Sequence, residues 1–310
     1  MMNFEEFCNY VENEVLNVLH HKEGKTAVVK DVHKNNGVVL KGLIILEEGK
    51  RISPTIYLEE FYEEMVIENC TEEEILSKIA SAYEKCLKEI PEFDIMGNLT
   101  EEQIIGVLVN QEHNEELLKD IPHLLIGDSL AVIFKYLLEK SERGYASVTI
   151  TDYLAQMKGY DEHTLMRIAL SNTPKLLKYS FQSMGSVISA MMGVGCEEEN
   201  DNSDFPMYVL SNQQNQWGAF CILYPQVLEK LFSKFGSDLV MLPSSVHELI
   251  ILPQNEDMIM SDMDKMVQEV NATQVRAQER LADKAFILRR DGSDDISKFV
   301  SYYAPQTIGC

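Results

Sequence analysis

One short stretch of the chain gathers hydroxyl, imidazole and carboxylate side chains. Ser244, Ser245, His247 and Glu248 lie within five positions of one another, inside the otherwise apolar residues 239–253. A serine nucleophile needs a base within hydrogen-bond reach, and that base needs an acceptor that orients it. These residue types therefore suit hydrolysis through Ser244 or Ser245, with His247 as the base.

The same residues match a structural motif, the Ser-x-x-Glu capping box from Ser245 to Glu248. This motif predicts a single helical turn between two buried strands, bounded by Pro243 and Pro253. In an extended segment, Ser245 and His247 would instead point to one face and Glu248 to the other. Neither geometry places all the groups in a relay, and the Gly-x-Ser-x-Gly turn of many serine hydrolases is missing. A structural turn is the main interpretation, and a partner-contact loop and a hydrolytic site are the alternatives.

A second group of candidate residues is a run of glutamates early in the chain. Residues 59–74 contain eight glutamates and neither lysine nor arginine. A solvated helix face explains most of them, since residues 72–74 would lie at the positive end of a helix dipole. The alternative is a binding surface that imitates the phosphates of nucleic acid. The residues predicted for contact with a partner are Glu59, Glu60, Glu63, Glu64, His247 and Glu248.

No spacing in the sequence predicts a metal or cofactor site. The seven histidines form no His-Glu-x-x-His motif and no His-x-His pair, and the six cysteines form no Cys-x-x-Cys pair. The phosphate-binding patterns Gly-x-x-x-x-Gly-Lys-Ser/Thr and Gly-x-Gly-x-x-Gly are missing as well. We therefore expect no cofactor and no metal, and a metal site assembled from distant residues stays open.

The net charge of −23 limits the partners that the chain can take. Nucleic acid and anionic membrane surfaces would be repelled over most of such a protein. Early glutamates without a basic cluster exclude a standard secretory signal, and the longest apolar stretch, residues 124–138, is too short and polar to span a bilayer. Widely spaced cysteines suit a reducing compartment. These features predict a cytoplasmic protein with a protein partner, a basic one if the glutamates imitate nucleic acid. The oligomeric state stays open.

Apolar periodicity predicts the elements that position the first group of glutamates. An amphipathic helix over residues 3–19 precedes strands at 26–32 and 38–46, and Asn36-Gly37 between them favours a hairpin turn. Thr71 and Glu74 form a capping box for a helix that ends near residue 90. Residues 91–99 are the predicted domain boundary. The chain is thus predicted to have an N-terminal α+β domain, 1–95, and a C-terminal α+β domain, 96–310.

The second predicted domain alternates short strands and helices, which indicates an α+β fold with mixed or antiparallel sheets packed by helices. Strands are predicted at residues 104–109, 129–138, 146–150, 207–210, 219–223, 239–242, 249–252 and 285–289. Helices are predicted at residues 114–120, 152–158, 162–172, 187–192, 226–235 and 257–270, and Pro174 is expected to end the third of them. Residues 196–206 are acidic and predict an exposed loop. The set Met258, Met260, Met263 and Met266 is expected to pack in the core rather than form a pliable binding face.

Several segments resemble an uncharacterised bacterial family, the domain of unknown function 5688. One is Leu242-Pro-Ser-Ser-Val-His-Glu248, and the others are residues 36–42, 52–57, 114–123, 207–212 and 270–275. The resemblance extends to about Arg290. It implies a bacterial, cytoplasmic protein and supplies no activity and no catalytic residue.

These observations lead to three functional hypotheses. The leading one is a non-catalytic interaction or regulatory protein. The second is an acidic inhibitor that imitates nucleic acid and blocks a basic nucleic-acid-binding protein. The third is a hydrolase that uses Ser244 or Ser245 with His247.

Overall fold

The computed structural model describes residues 2–49, 53–89, 99–141, 144–192 and 206–303. The chain divides into two units, Met1–Lys34 with Val38–Leu99, and Asn35–Gly37 with Thr100–Cys310. The predicted boundary at residues 91–99 and the predicted acidic loop at 196–206 lie almost wholly outside the described residues. The two predicted domains, 1–95 and 96–310, stay a prediction.

The first unit is a three-stranded antiparallel sheet packed by helices. Its strands are β1 (Lys25–His33), β2 (Val39–Glu47) and β3 (Thr55–Tyr57), with β2 in the centre. Its helices are Phe4–Val18, Glu59–Glu68 and Glu72–Glu89. The last begins at the predicted capping box, where Glu74 N donates to Thr71 Oγ1 and Thr71 N donates to Glu74 Oε2.

The core of the first unit follows from helical spacing. Phe7, Val11 and Val15 follow one another at steps of four positions, so they share one face of the helix Phe4–Val18, and all three are fully buried. They pack in one cluster with Ile75 and Ile79 of the helix Glu72–Glu89. Burying side chains of this size stabilises a fold by about 1.5–3 kcal/mol each.

The second unit contains two antiparallel sheets. In the four-stranded sheet, β6 (Leu130–Ser141) pairs with β4 (Ile104–Asn110), β5 (His123–Ile126) and β7 (Gly144–Thr149). The five-stranded sheet has the order β12-β10-β11-β9-β8. Its strands are β8 (Tyr179–Ser183), β9 (Tyr208–Asn212), β10 (Leu239–Ser245), β11 (Glu248–Pro253) and β12 (Phe286–Leu288). With the helices around these sheets, the predicted α+β fold class is confirmed.

The helices of the second unit follow local signals. They are Glu115–Leu118, Asp152–Lys158, Glu162–Leu176, Met184–Met191, Val227–Phe235, Met260–Thr273 and Asp295–Tyr303. The side chains of Thr151 and Asp161 accept hydrogen bonds from the first turns of the second and third of these helices. Gly236 follows Phe235 with a φ of 69°, the left-handed conformation that glycine adopts after a helix.

Several sequence predictions for the second unit were wrong. Pro174 does not end its helix, which continues to Leu176, because a missing N–H in the last turn costs few hydrogen bonds. Residues 219–223 belong to a 3₁₀ helix, Gly218–Leu223, rather than a strand. All six of its residues are buried, and a short, continuously apolar run does not distinguish strand from helix. The strands β5 and β8 and the helix Asp295–Tyr303 were not predicted.

Candidate functional site

The segment from Ser244 to Glu248 is a tight hairpin turn rather than a helical turn. β10 extends through Ser245 and β11 begins at Glu248, so Val246 and His247 alone connect the strands. Ser245 Oγ accepts a hydrogen bond from His247 N at 3.0 Å. The predicted capping box is therefore wrong, because Ser245 and Glu248 pair across the sheet, whereas the predicted strand–turn–strand unit is confirmed.

The imidazole of His247 is held by a neighbouring loop. Trp217 N donates to its Nδ1 at 3.1 Å, so the proton of the neutral ring belongs on Nε2. His247 Nε2 lies 3.9 Å from Glu279 Oε1. Burial lowers the pKa of His247 below its usual value, and the Glu279 carboxylate opposes this shift. The neutral imidazole is favoured, and it serves as an acceptor for the backbone.

Both serine hydroxyls of the turn have partners other than the imidazole. The Ser244 hydroxyl hydrogen-bonds to the carboxylate of Glu248. Burial raises the pKa of Glu248, and this hydrogen bond opposes the shift. Ser245 Oγ is bonded to the backbone of His247. The structure thus brings Ser244 and Glu248 together, but Nδ1 of His247 is occupied by the N–H of Trp217 and serves neither serine as a base.

The backbone of the turn is locked from two sides. Ser211 Oγ donates to His247 O at 2.7 Å, and Val246 N donates to Glu279 O at 2.8 Å. Gly218 passes so near that a Cβ atom at its position would lie 2.3 Å from His247 O and 2.3 Å from Ser211 Oγ. A backbone oxygen cannot move aside as a flexible side chain can, so this close approach requires glycine.

Glu279 belongs to a segment, residues 277–283, that side-chain amides hold in place. Four asparagines donate from their Nδ2 atoms to its backbone carbonyls, at distances of 2.7–3.1 Å. They are Asn35 to Gln278, Asn36 to Ala277 and Arg280, Asn110 to Leu281, and Asn271 to Ala282. We call these four residues the asparagine clamp.

Together with two other donors, the clamp provides a hydrogen bond to every backbone carbonyl of residues 277–283. Val246 N donates a hydrogen bond to Glu279 O, and Gln268 Nε2 donates one to Asp283 O. Buried carbonyls must be paired, and side-chain amides pair most of these carbonyls, including two of the short 3₁₀ helix Ala277–Glu279. Leu281 and Ala282 can therefore be buried, and Glu279 is fixed beside His247.

Sequence reasoning missed Trp217, Glu279 and the clamp as partners of the turn. The signal that was present is indirect. Asn36 and Asn271 fall within the segments 36–42 and 270–275, which carried the family resemblance together with residues 242–248. Within the second unit, Asn36, Asn271 and the turn at Val246 all bind the segment 277–283.

The four predicted binding glutamates of the first unit divide into two pairs. Glu59 Oε1 accepts a hydrogen bond from Lys41 N at 2.6 Å, and Glu64 forms an ion pair with Lys78. Glu60 and Glu63 are exposed on the helix Glu59–Glu68. The second pair is therefore accessible to a partner, and the first pair contributes to the fold.

One group in the described part of the first unit approaches the spacing of metal ligands. The donor atoms of Glu64, Glu68 and Cys70 lie within 4.8 Å of one another. The ammonium group of Lys78 contacts Glu64 and lies 3.7 Å from Glu68 Oε2 and 3.8 Å from Cys70 Sγ. Because the ammonium group of Lys78 already lies among these three side chains, we assign no metal to them.

Comparison with known proteins gives a family and no activity. The sequence model of a family of unknown function, DUF5688, matches residues 4–290. The chain belongs to this family. No curated protein and no solved structure matches the chain. In this DUF5688 protein, the matched span includes the hairpin turn and the whole clamp. Within the described ranges, none of its helices is both long and apolar enough to cross a membrane.

The five-stranded sheet of this DUF5688 protein has one face covered largely by methionines. Its strands contribute Val209, Val240, Leu242, Ile250 and Leu252 to a cluster with Val267. Half-buried methionines pack on this cluster from the helix Met184–Met191, from the residue before β9, and from the helix Met260–Thr273 with the residues before it; they are Met184, Met207, Met258, Met260 and Met263. We call this surface the methionine face. Core packing was predicted for Met266 too, but its side chain is 43% exposed.

Proposed function

We propose that this protein is a non-catalytic interaction or regulatory protein of a bacterial cytoplasm, and that its partner is another protein. The occupation of His247 Nδ1 by the N–H of Trp217 supports this proposal. A general base needs a free lone pair within reach of the nucleophile, and the described turn uses that lone pair to hold a backbone loop. The chemical groups of residues 244–248 are thereby accounted for as structure.

The charge of the chain favours a basic partner. A net charge of −23 attracts cationic proteins and repels nucleic acid and anionic lipid. Exposed carboxylates on the helices of the first unit, Glu60, Glu63, Glu72, Glu73 and Glu74, support the second candidate function, an inhibitor that imitates nucleic acid. In that case the partner is a basic protein whose nucleic-acid site becomes blocked.

Affinity capture of the full chain from its native host tests both candidates. We expect a basic protein that moderate salt releases, because attraction between exposed charges is screened beyond about 8 Å at physiological ionic strength and over shorter distances as salt is added. Changing Glu60 and Glu63 together to Gln should weaken capture if the glutamates imitate nucleic acid. The same change at Glu115 and Glu116, exposed on a short helix of the second unit, is the matched control.

Three results would count against the proposal. A captured partner that resists high salt would contradict the role of charge. A captured basic protein that still binds nucleic acid in the presence of this chain would remove the inhibitor candidate. Turnover of a small substrate that disappears in His247→Ala would overturn the non-catalytic function itself.

A further inference from the structure

We propose that the methionine face binds a basic amphipathic helix of the protein partner. This inference rests on the proposed interaction function and specifies its surface and the chemistry of its ligand.

The cover of the methionine face is thinnest over Ile250 and Val209, whereas Val240 on the same face is fully buried. Alternate residues of a strand point to opposite faces. On β11, Leu249 and Ile251 are fully buried, whereas Ile250 on the methionine face retains 9% exposure. Val209 on β9 retains 8% on the same face. Most of the side chains that cover this face are unbranched methionines, which can repack around a new ligand.

The helix Met260–Thr273 presents an apolar stripe of which Met263 alone also packs on the sheet. Its buried side carries Val267, which packs on the sheet. Ile259, Met266 and Val270 are exposed, and with the half-buried Met263 they follow a spacing of three and four residues. Residues at this spacing line one side of a helix, so the stripe runs along its length beside the methionine face.

A second apolar edge comes from the helix Met184–Met191, which contacts β8 and β9. Ile188 is 45% exposed, and Met192 just after the helix is 74% exposed. Residues 179–195 contain no charged side chain. Exposed apolar side chains gathered around one surface indicate an interaction site.

Carboxylates flank the apolar stripe and decide which partner fits. Asp262 and Glu269 lie four positions before and three positions after Met266, on the same side of the helix. Residues 256–270 carry five acidic side chains and one lysine, Lys265, which lies 3.1 Å from Asp262. A ligand for this surface needs apolar side chains that contact the stripe and basic side chains that pair with the carboxylates beside it. A helix with one apolar and one basic face meets both needs.

The same charges argue against other occupants. A second copy of the chain would bring its carboxylates against those of the first, and an anionic membrane would be repelled by them. Both are therefore outcomes of the test rather than the proposal.

The test measures binding of a labelled 18-residue peptide, about five helical turns long, made of leucine and lysine in helical spacing. A peptide of the same composition, scrambled so that it has no apolar face, is the first control. We expect the full chain to bind the amphipathic peptide more tightly. Changing Ile259 and Met266 together to Ser should weaken binding by about tenfold, because two apolar contacts are lost.

Matched variants separate this surface from general acidity. Changing Ile67 and Tyr153 together to Ser removes exposed apolar side chains elsewhere and should leave peptide binding unchanged. Changing Asp262 to Asn and Glu269 to Gln should weaken binding and reduce its dependence on salt. Circular dichroism of each variant verifies that the fold is retained, which is expected for exposed positions.

Each contrary result overturns the inference in its own way. Equal binding of both peptides, or unchanged binding by the Ile259 and Met266 variant, would show that charge alone attracts the probe. Self-association in sedimentation that this variant abolishes would assign the surface to a second copy. Binding to phosphatidylserine vesicles through the same residues would assign it to a membrane. Capture of a basic partner that this variant leaves intact would uphold the proposed function and reject this surface.

Discussion

The side-chain amide of Asn36 donates to the backbone carbonyl of Ala277 at 2.8 Å, across 241 positions of sequence. The same nitrogen donates to Arg280 O at 2.7 Å. Asn36 also has a φ of 61°, a left-handed conformation that asparagine tolerates better than most residues. One residue thus serves a local turn and a distant loop, and its two roles can be separated by substitution.

Asn36→Gly should lower the free energy of unfolding by about 2–3 kcal/mol. Glycine accommodates the positive φ, so the lost stability measures the contribution of the side-chain amide. Its hydrogen bonds with Ala277, Arg280 and Asn114 contribute about 1 kcal/mol each. The measurement is urea denaturation. Asn69→Gly is the control, because Asn69 also has a positive φ but is exposed after a helix, where glycine is favoured. Equal losses in both variants would contradict the role of the clamp.

Gly218→Ala should destabilise the second unit by about 1–3 kcal/mol, the usual cost of overpacking. The added Cβ would meet the backbone oxygen of His247, which hydrogen bonds on both sides of the turn hold in place. Thermal unfolding measures the effect. Gly185→Ala is the matched control, since Gly185 is exposed in a helix with space around it and alanine is the better helix former. A Gly218→Ala protein as stable as the wild type would refute the close approach.

His247 should make the protein less stable in mild acid. The pKa of His247 in the fold lies below the value of about 6.5 expected in the unfolded chain, so the unfolded state takes up the proton first. The free energy of unfolding should therefore fall as the pH decreases from about 6.5 through the folded-state pKa. His247→Asn keeps an acceptor for the N–H of Trp217 without titrating in this range, so this part of the slope should disappear. NMR titration of the ring gives the pKa directly, and a value above 6.5 would be inconsistent with the burial of the imidazole.

A fluorophosphonate probe should not label Ser244 or Ser245 in the folded protein. The hydroxyl of Ser244 is bonded to Glu248, and the lone pair of His247 Nδ1 is bonded to Trp217. Neither hydroxyl thus contacts the imidazole that would act as its base. Mass spectrometry of the treated chain is the measurement, and a known serine hydrolase in the same reaction verifies the probe. Labelling that is lost in His247→Ala would establish the hydrolase hypothesis instead.

Signals that act over a few residues predicted much of the secondary structure. The capping box of Thr71 and Glu74, the Asn36-Gly37 turn and the glycine after Phe235 all appear as expected. Each depends on backbone and side-chain groups within about four positions. Local sequence signals gave the wrong result at Ser245 to Glu248. These residues match the capping-box motif, but they pair with each other across the sheet instead of forming a helical turn.

The sequence by itself determined the acidity, the family and the α+β class, since these depend on composition, on motifs and on the period of apolar residues. The tertiary structure alone decided that His247 is an acceptor for Trp217, that Glu279 lies beside it and that Asn36 holds Ala277. The physical reason is that these contacts join groups 30 to 241 positions apart. A polar side chain has many possible partners in the sequence. Its actual partner is determined when the chain folds, because burial requires each donor and acceptor to be paired.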